Sequence, residues 1–182
     1  MKNTKGKTYR SNSLTLEEQE RLLSVTDTFE DLALFRLALT TGIRREDIAN
    51  IETGNINFEN RTLKFWEAKK SRWWEVPLTE EVTQTLQRYL KTKGNTKQVF
   101  DMTGRTAYNR LQKYIVKANI KKHLSFHDLR RSMVKAAKRR GLSPKAVSQI
   151  TGDSLAVVDR YYTNLDMHEL KEEIDKFSEV VK

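Results

Sequence analysis

Hydrophobic positions along the chain follow two periods. Residues 13–23, "SLTLEEQERLL", open on a helical pattern, with Thr15 and Glu18 spaced as a capping box and Leu14 placed to staple onto the next turn. The segment "FEDLALFRLALTTG" (29–42) is apolar on enough faces to predict a helix buried on most sides and stopped by Gly42. A short helix, "REDIANI", is predicted at 45–51. The period then falls to two. "NINFENRTLKFWEAKKSRWWEVPLT" (55–79) has turn signals at Glu59-Asn60 and around Lys70-Ser71, which predicts a sheet of about three antiparallel strands. Helical spacing returns in "TEEVTQTLQRYLKTKG" (79–94), N-capped by Thr79 and stopped near Gly94. Further helices are predicted over 106–120, over 125–141 between Ser125 and Gly141, and over 143–152, 154–162 and 167–181. The expected fold class is mainly α with a small antiparallel β-sheet, an α+β arrangement. Residues 1–12 are basic at their start and lack apolar periodicity. They are expected to form a flexible arm, leaving 13–182 as one domain without internal repeats.

Composition adds a partner. The chain has 182 residues, 37% of them apolar, and a net charge of +10, which points to a polyanion, nucleic acid before membrane. The charge is polarised. Residues 105–140 carry twelve Lys and Arg against the single acid Asp128, whereas 11–60 carry four against ten acids. A basic stripe beside an acidic segment has the form of a binding face. The absence of cysteine removes disulfides, thiolate metal sites and a cysteine nucleophile. No run is apolar enough to span a bilayer and no signal peptide is visible, so a cytoplasmic, DNA-associated protein is the expectation.

Four segments carry candidate chemistry, and each also has an ordinary structural explanation. In "SFHDLRRS" a helix puts His127 and Arg130 on one face and sends Arg131 elsewhere. The pair can serve one phosphoryl group, the guanidinium neutralising oxygens and the imidazole moving a proton, or it can be a solvated basic helix. In "TTGIRREDI" Arg44 stands at a helix start, an anion-binding position, with Asp47 one turn on to hold it; the alternative is a surface ion pair of little energetic value. "EAKKSRWWEVPL" puts Lys69 and Lys70 at a hairpin tip, either solvated with one Trp packed inward or reaching into a DNA groove. "SPKAVSQITGDSLAVVDRYY" has the look of a helix-turn-helix about Gly152, ending in Tyr161 and Tyr162 beside Arg160; such tyrosines are commonly packing residues with wet hydroxyls.

Their order is more specific than any one of them. Arg, a hairpin Lys, His-x-x-Arg and a late Tyr follow one another as in the active site of the tyrosine recombinases. From about Leu14 onward the chain resembles the catalytic domain of that phage-integrase-type family. "TGIRREDI" resembles its TG-x-R-x-x-E segment, with Asp47 at the acid position. "AKKSRWWEVPL" resembles its lysine hairpin, and "FHDLRRS" its His-x-x-Arg box. "TGDSLAVVDRYYTN" resembles the segment in which the tyrosine follows a glycine by ten residues, which selects Tyr162, with Tyr161 as the alternative. Asp153 departs from the usual His or Trp. It is expected to turn away from the phosphate and pair with a cation such as Arg130, so that removing it weakens cleavage. Only a dozen residues precede the domain, where most relatives carry a separate DNA-clamping domain. The chain is then either a fragment or a short natural form.

The resemblance implies a tyrosine-recombinase catalytic fold and site-specific cutting and rejoining of double-stranded DNA through a 3′-phosphotyrosine, without ATP, metal or other cofactor. It implies Arg44, Lys69, His127, Arg130 and Tyr162 as catalytic residues. Lys70, Arg72, Arg131 and Arg160 are expected to contact DNA, and a tetramer on DNA, coupled through the C-terminal helix, is expected. That tail has Leu170, Ile174, Phe177 and Val181 at helical spacing, which equally fits packing on its own domain. Two rival readings remain: a helix-turn-helix-like DNA-binding regulator without catalysis, and a type IB topoisomerase.

Overall fold

The computed structural model describes residues 12–163, 171, 174 and 175. Eight helices and one sheet are found among them. Helix α1 (Leu16–Ser24) begins with the expected capping box: Glu18 N–H donates to Thr15 Oγ1 at 3.1 Å, and Thr15 N–H donates to Glu18 Oε2 at 2.8 Å. Helix α2 (Phe29–Thr41) is the central element. Ala33, Leu34, Phe35, Leu37, Ala38 and Leu39 are all buried along it, and Gly42 ends it in the left-handed region at φ 65°. Helix α3 (Arg45–Ala49) starts immediately after that turn.

Strands β1 (Ile56–Asn57), β2 (Thr62–Glu67) and β3 (Arg72–Pro77) form one antiparallel sheet in the order β1-β2-β3. Leu63 pairs with Val76, Phe65 with Trp74, Trp66 with Trp73 and Glu67 with Arg72. The alternation decides which faces are covered: Leu63, Phe65 and Glu67 point inward, and Lys64 and Trp66 point to solvent. Of the three tryptophans, only Trp74 packs against the core, while Trp66 and Trp73 are exposed as an edge-to-face pair. Ser71, at φ 48°, turns the hairpin after one 3₁₀ turn at Ala68–Lys70.

The remaining helices are α4 (Glu80–Lys93), α5 (Gly104–Lys117), α6 (Phe126–Arg139), α7 (Pro144–Thr151) and α8 (Leu155–Thr163). Thr79 caps α4 and Gly94 closes it, as the sequence predicts. Helix α6 divides the interior. Phe126 and Leu129 face the main core around α2, where Phe35 meets Tyr114 edge-on at 5.5 Å. Met133, Val134 and Ala137 face a smaller apolar cluster with Val147 and Val158, against which Tyr161 and Tyr162 pack. The α7–α8 pair therefore rides on one side of α6, and its position relative to the basic residues depends on that second cluster. No helix among the described residues is long and apolar enough to cross a membrane. The predicted helix at 167–181 lies largely outside the described residues, Leu170, Phe177 and Val181 included, as does the basic arm up to residue 11; Ile174 is exposed.

Candidate active site

Three chain segments converge where α2 ends. Gly42 lets α2 turn sharply, and a Cβ at that position would meet Arg130 Cγ at 3.1 Å, so the turn and α6 pack backbone to side chain. Just after it, Arg44 occupies the N-cap of α3. Asp47, two residues into α3, accepts the backbone N–H of Ala68 at 3.1 Å and thereby ties the tip of the β2–β3 hairpin to the same corner. This corrects the role expected of Asp47, which was to hold Arg44. Its second oxygen, Oδ2, is buried without a hydrogen-bond partner, and burial pushes the carboxyl above its ordinary pKa, more than the Ala68 bond and the Arg44 charge lower it.

Arg44, Lys69, His127 and Arg130 all line one pocket of about 400 Å³, with Asp47 and Ser125 in its wall. Four candidates spread over 87 residues of sequence are thus brought to one concavity. Arg130 is buried and fully engaged: Nη1 donates to Gly42 O at 2.6 Å, Nη2 to Thr151 O at 2.6 Å, and Nε to Asp153 Oδ2 at 3.1 Å. His127 lies in the first turn of α6, solvent-accessible at the rim. Desolvation by the atoms packed about the ring, then the charges of Arg131 and Arg130, lower its pKa and favour the neutral imidazole at neutral pH. Ser125 N–H donates to Asp128 Oδ2 at 2.8 Å, which fixes the start of this helix.

Asp153 pairs with Arg130, as expected, but it does not turn away from the site. Its Oδ2 lies 2.7 Å from Arg130 Nη2 and its Oδ1 lies 3.3 Å from Arg44 Nη2. One carboxylate thus bridges both arginines. Its backbone is fixed as well, through Ser148 Oγ donating to Asp153 O at 2.7 Å. A second carboxylate that the sequence reading missed, Glu67, also holds Arg44. Glu67 is hydrogen-bonded by Arg44 and by Arg72 Nε at 2.7 Å, with Lys70 Nζ 3.7 Å away. Burial acts to raise its pKa, and the Arg44 and Arg72 bonds with the Lys70 charge outweigh that, leaving it below the ordinary carboxylate value. A signal was present: Glu67 is in phase with the inward Leu63 and Phe65, an acid where the alternation calls for an apolar residue.

Three of the residues expected to contact DNA, Lys70, Arg72 and Arg131, also hold partners within the protein. Lys70 donates to Gly152 O, and Arg72 donates to the same carbonyl at 3.2 Å while stacking on Trp74 with 3.8 Å from Cζ to the ring centre. Trp74 Nε1 donates to Gln149 O at 3.1 Å, so the hairpin is clamped onto the end of α7. Arg131 pairs with Asp128 at 3.0 Å, and Arg160 is exposed on α8. Lys70 and Arg72 are drawn to Gly152 O, a carbonyl left open at the end of α7.

Neither tyrosine is among the residues lining the pocket. The Tyr162 hydroxyl donates to Leu142 O at 2.7 Å, and burial raises its pKa. Tyr161 is half-buried against the same small cluster. Tyr162 is thus held by the α6–α7 connection rather than in the pocket.

Comparison with known proteins gives a consistent result. The phage integrase family matches residues 12–169. Among curated relatives, the XerA tyrosine recombinase of Pyrococcus horikoshii is 26% identical over 97% of this chain and 65% of its own length. XerD of Staphylococcus aureus is 26% identical over 90% of this chain and 61% of its own length. The chain spans 52–65% of the length of the XerA relatives. A crystal structure of XerA recombinase superposes with a TM-score of 0.80 at 21% identity, covering 91% of this chain and 63% of that one. The Tn1549 transposon integrase in complex with transposon right end DNA superposes with a TM-score of 0.75 at 18% identity, covering 96% of this chain and 68% of that one. The fold is that of the tyrosine recombinase catalytic domains.

Proposed function

The chain belongs to the phage integrase family, and from that premise we propose that it cuts and rejoins double-stranded DNA at specific sites through a tyrosine-linked intermediate. One observation carries the reading: Arg44 and Arg130, from different elements, line one pocket with Lys69 and His127 and also share a single carboxylate, Asp153. Two guanidiniums that share one anion are arranged for one phosphodiester.

In the proposed reaction the Tyr162 oxygen attacks the phosphorus and the bond from phosphorus to the 5′-oxygen breaks, leaving a 3′-phosphotyrosine and a free 5′-hydroxyl. A phenol with a raised pKa is a poor nucleophile at neutral pH, so it needs a base and a stabilised transition state. Neutral His127 takes the phenol proton. Lys69 gives a proton to the leaving 5′-oxygen. Arg44 and Arg130 neutralise the crowded phosphorane. Rejoining runs the same steps backwards with another strand's 5′-hydroxyl. Tyr162 must first leave the Leu142 carbonyl, a bond of ordinary length, and DNA binding supplies that rearrangement of α8. The exposed Lys69 and Arg160 and the basic stripe over 105–140 meet the backbone electrostatically, so binding weakens with salt. A homotetramer on DNA completes the proposed assembly. The recombinase structures found with DNA, of which the Tn1549 integrase is one, support the choice of partner.

A nicked suicide substrate tests the reading, with peptide mass mapping of any covalent adduct. An adduct on Tyr162 supports it, and an adduct on Tyr161 moves the nucleophile by one residue. Stable DNA binding with no adduct favours a regulator, and relaxation of supercoils by a monomer favours a topoisomerase.

A further inference from the structure

We propose that Glu67 is a positioning residue that holds Arg44 in place while a phosphate occupies the pocket. The proposal rests on the recombinase reading for what Arg44 does, but not for how Arg44 is held. Glu67 is the last residue of β2, and its side chain is 1% exposed. One of its oxygens takes Arg44, and the other takes Arg72 Nε at 2.7 Å. Arg72 is itself fixed by the Trp74 ring and by Gly152 O. The carboxylate therefore joins the start of α3, the hairpin and the end of α7 through one buried charge.

Two carboxylates touch Arg44, and their exposures separate their roles. Asp153 is 22% exposed, lies between the two arginines, and is the group an incoming phosphate competes with. Glu67 lies behind Arg44, where no solvent-borne anion reaches it. Once a phosphate has displaced Asp153, Glu67 is the carboxylate that still restrains the guanidinium. An apolar residue would satisfy the strand's inward face and avoid the desolvation of a carboxylate. The charge is accounted for by the two arginines it holds.

Single-turnover cleavage of the nicked substrate tests the proposal. Glu67→Gln keeps the shape and removes the charge. It is expected to slow cleavage by about 10²-fold, the scale of a misplaced catalytic group, with DNA affinity changed less than about three-fold. Glu67→Asp restores the charge at a shorter reach and is expected to recover part of the rate. In an Arg44→Ala background Glu67→Gln adds less than about two-fold, because the two act as one unit. Additive losses would mean a merely structural role and overturn the proposal. A second arm needs no activity. In the Asp153→Asn background, NMR of the free protein reads rotation of the Arg44 guanidinium, expected restricted with Glu67 and free with Gln. Restricted rotation without the Glu67 charge overturns the proposal. Absence of any adduct in the unmodified protein overturns the recombinase reading instead, and the NMR arm still decides Glu67.

Discussion

Replacing Asp153 by Asn removes the one anion that sits where a DNA phosphate is proposed to bind. Neither arginine depends on it for orientation. Arg130 keeps the Gly42 and Thr151 carbonyls, each at 2.6 Å, and Arg44 keeps Glu67. Asp153 contributes mainly charge. A unit charge about 4 Å from another is worth roughly 4 kcal/mol at an effective dielectric near 20, and an arriving phosphate meets the carboxylate at about that range. Asp153 is 22% exposed, so solvent and rotation of the carboxylate reduce the repulsion. A net cost of about 1.4–2.8 kcal/mol corresponds to roughly 10–100-fold in affinity. Asp153→Asn is therefore expected to lower the DNA concentration for half-maximal single-turnover cleavage by about ten-fold or more. It is also expected to lower the melting temperature, because the buried Arg130 loses its counter-charge. The signature is a less stable, more active protein. Adduct yield against DNA concentration on denaturing gels, beside a thermal melt, measures both. A slower cleavage rate with an unchanged half-saturation point would refute the reasoning and return Asp153 to the orienting role that the sequence alone assigns it.

Other consequences follow from the same geometry. Arg44→Ala and Arg130→Ala are each expected to slow adduct formation more than His127→Ala: one charge clamp, roughly 4 kcal/mol, is comparable with the about 3–5 kcal/mol of a proton-transfer group, but both clamps act on one phosphate, so removing either also misplaces it for the other; equal or reversed losses in single-turnover assays would contradict this. If His127 serves as base, the cleavage rate falls as pH drops, with its inflection below the ordinary imidazole value of 6.5, because the neutral form is the active one and the folded environment resists protonation; His127→Gln should erase that limb of the pH–rate curve. Gly152→Ala is expected to destabilise the protein by about 1–2 kcal/mol in chemical denaturation, since φ is 70° and the new methyl meets Arg72 Nη2 at 3.0 Å. An unchanged unfolding midpoint would mean that the α7 turn relaxes freely.

Much of this protein is legible in its sequence because the signals are local. Capping at Thr15 and Thr79, the stop at Gly42 and the strand alternation over 62–67 depend on residues within a turn or two of one another. The four pocket residues could be nominated from the ordered resemblance of short boxes, each box being local too. Partner choice among charges is not local. Arg44 meets Asp153 across 109 residues, and Lys70 meets Gly152 O across 82. Such pairings depend on how α7 docks against α6 and the hairpin, and on which open carbonyls that docking presents. So the sequence nominated Lys70, Arg72 and Arg131 for DNA, and packing gave each an internal anion or carbonyl as well. Tyr162 shows the same division. Its spacing from Gly152 is written in the chain, but its hydroxyl went to Leu142, because a phenol packed beside an apolar cluster takes the nearest unpaired carbonyl.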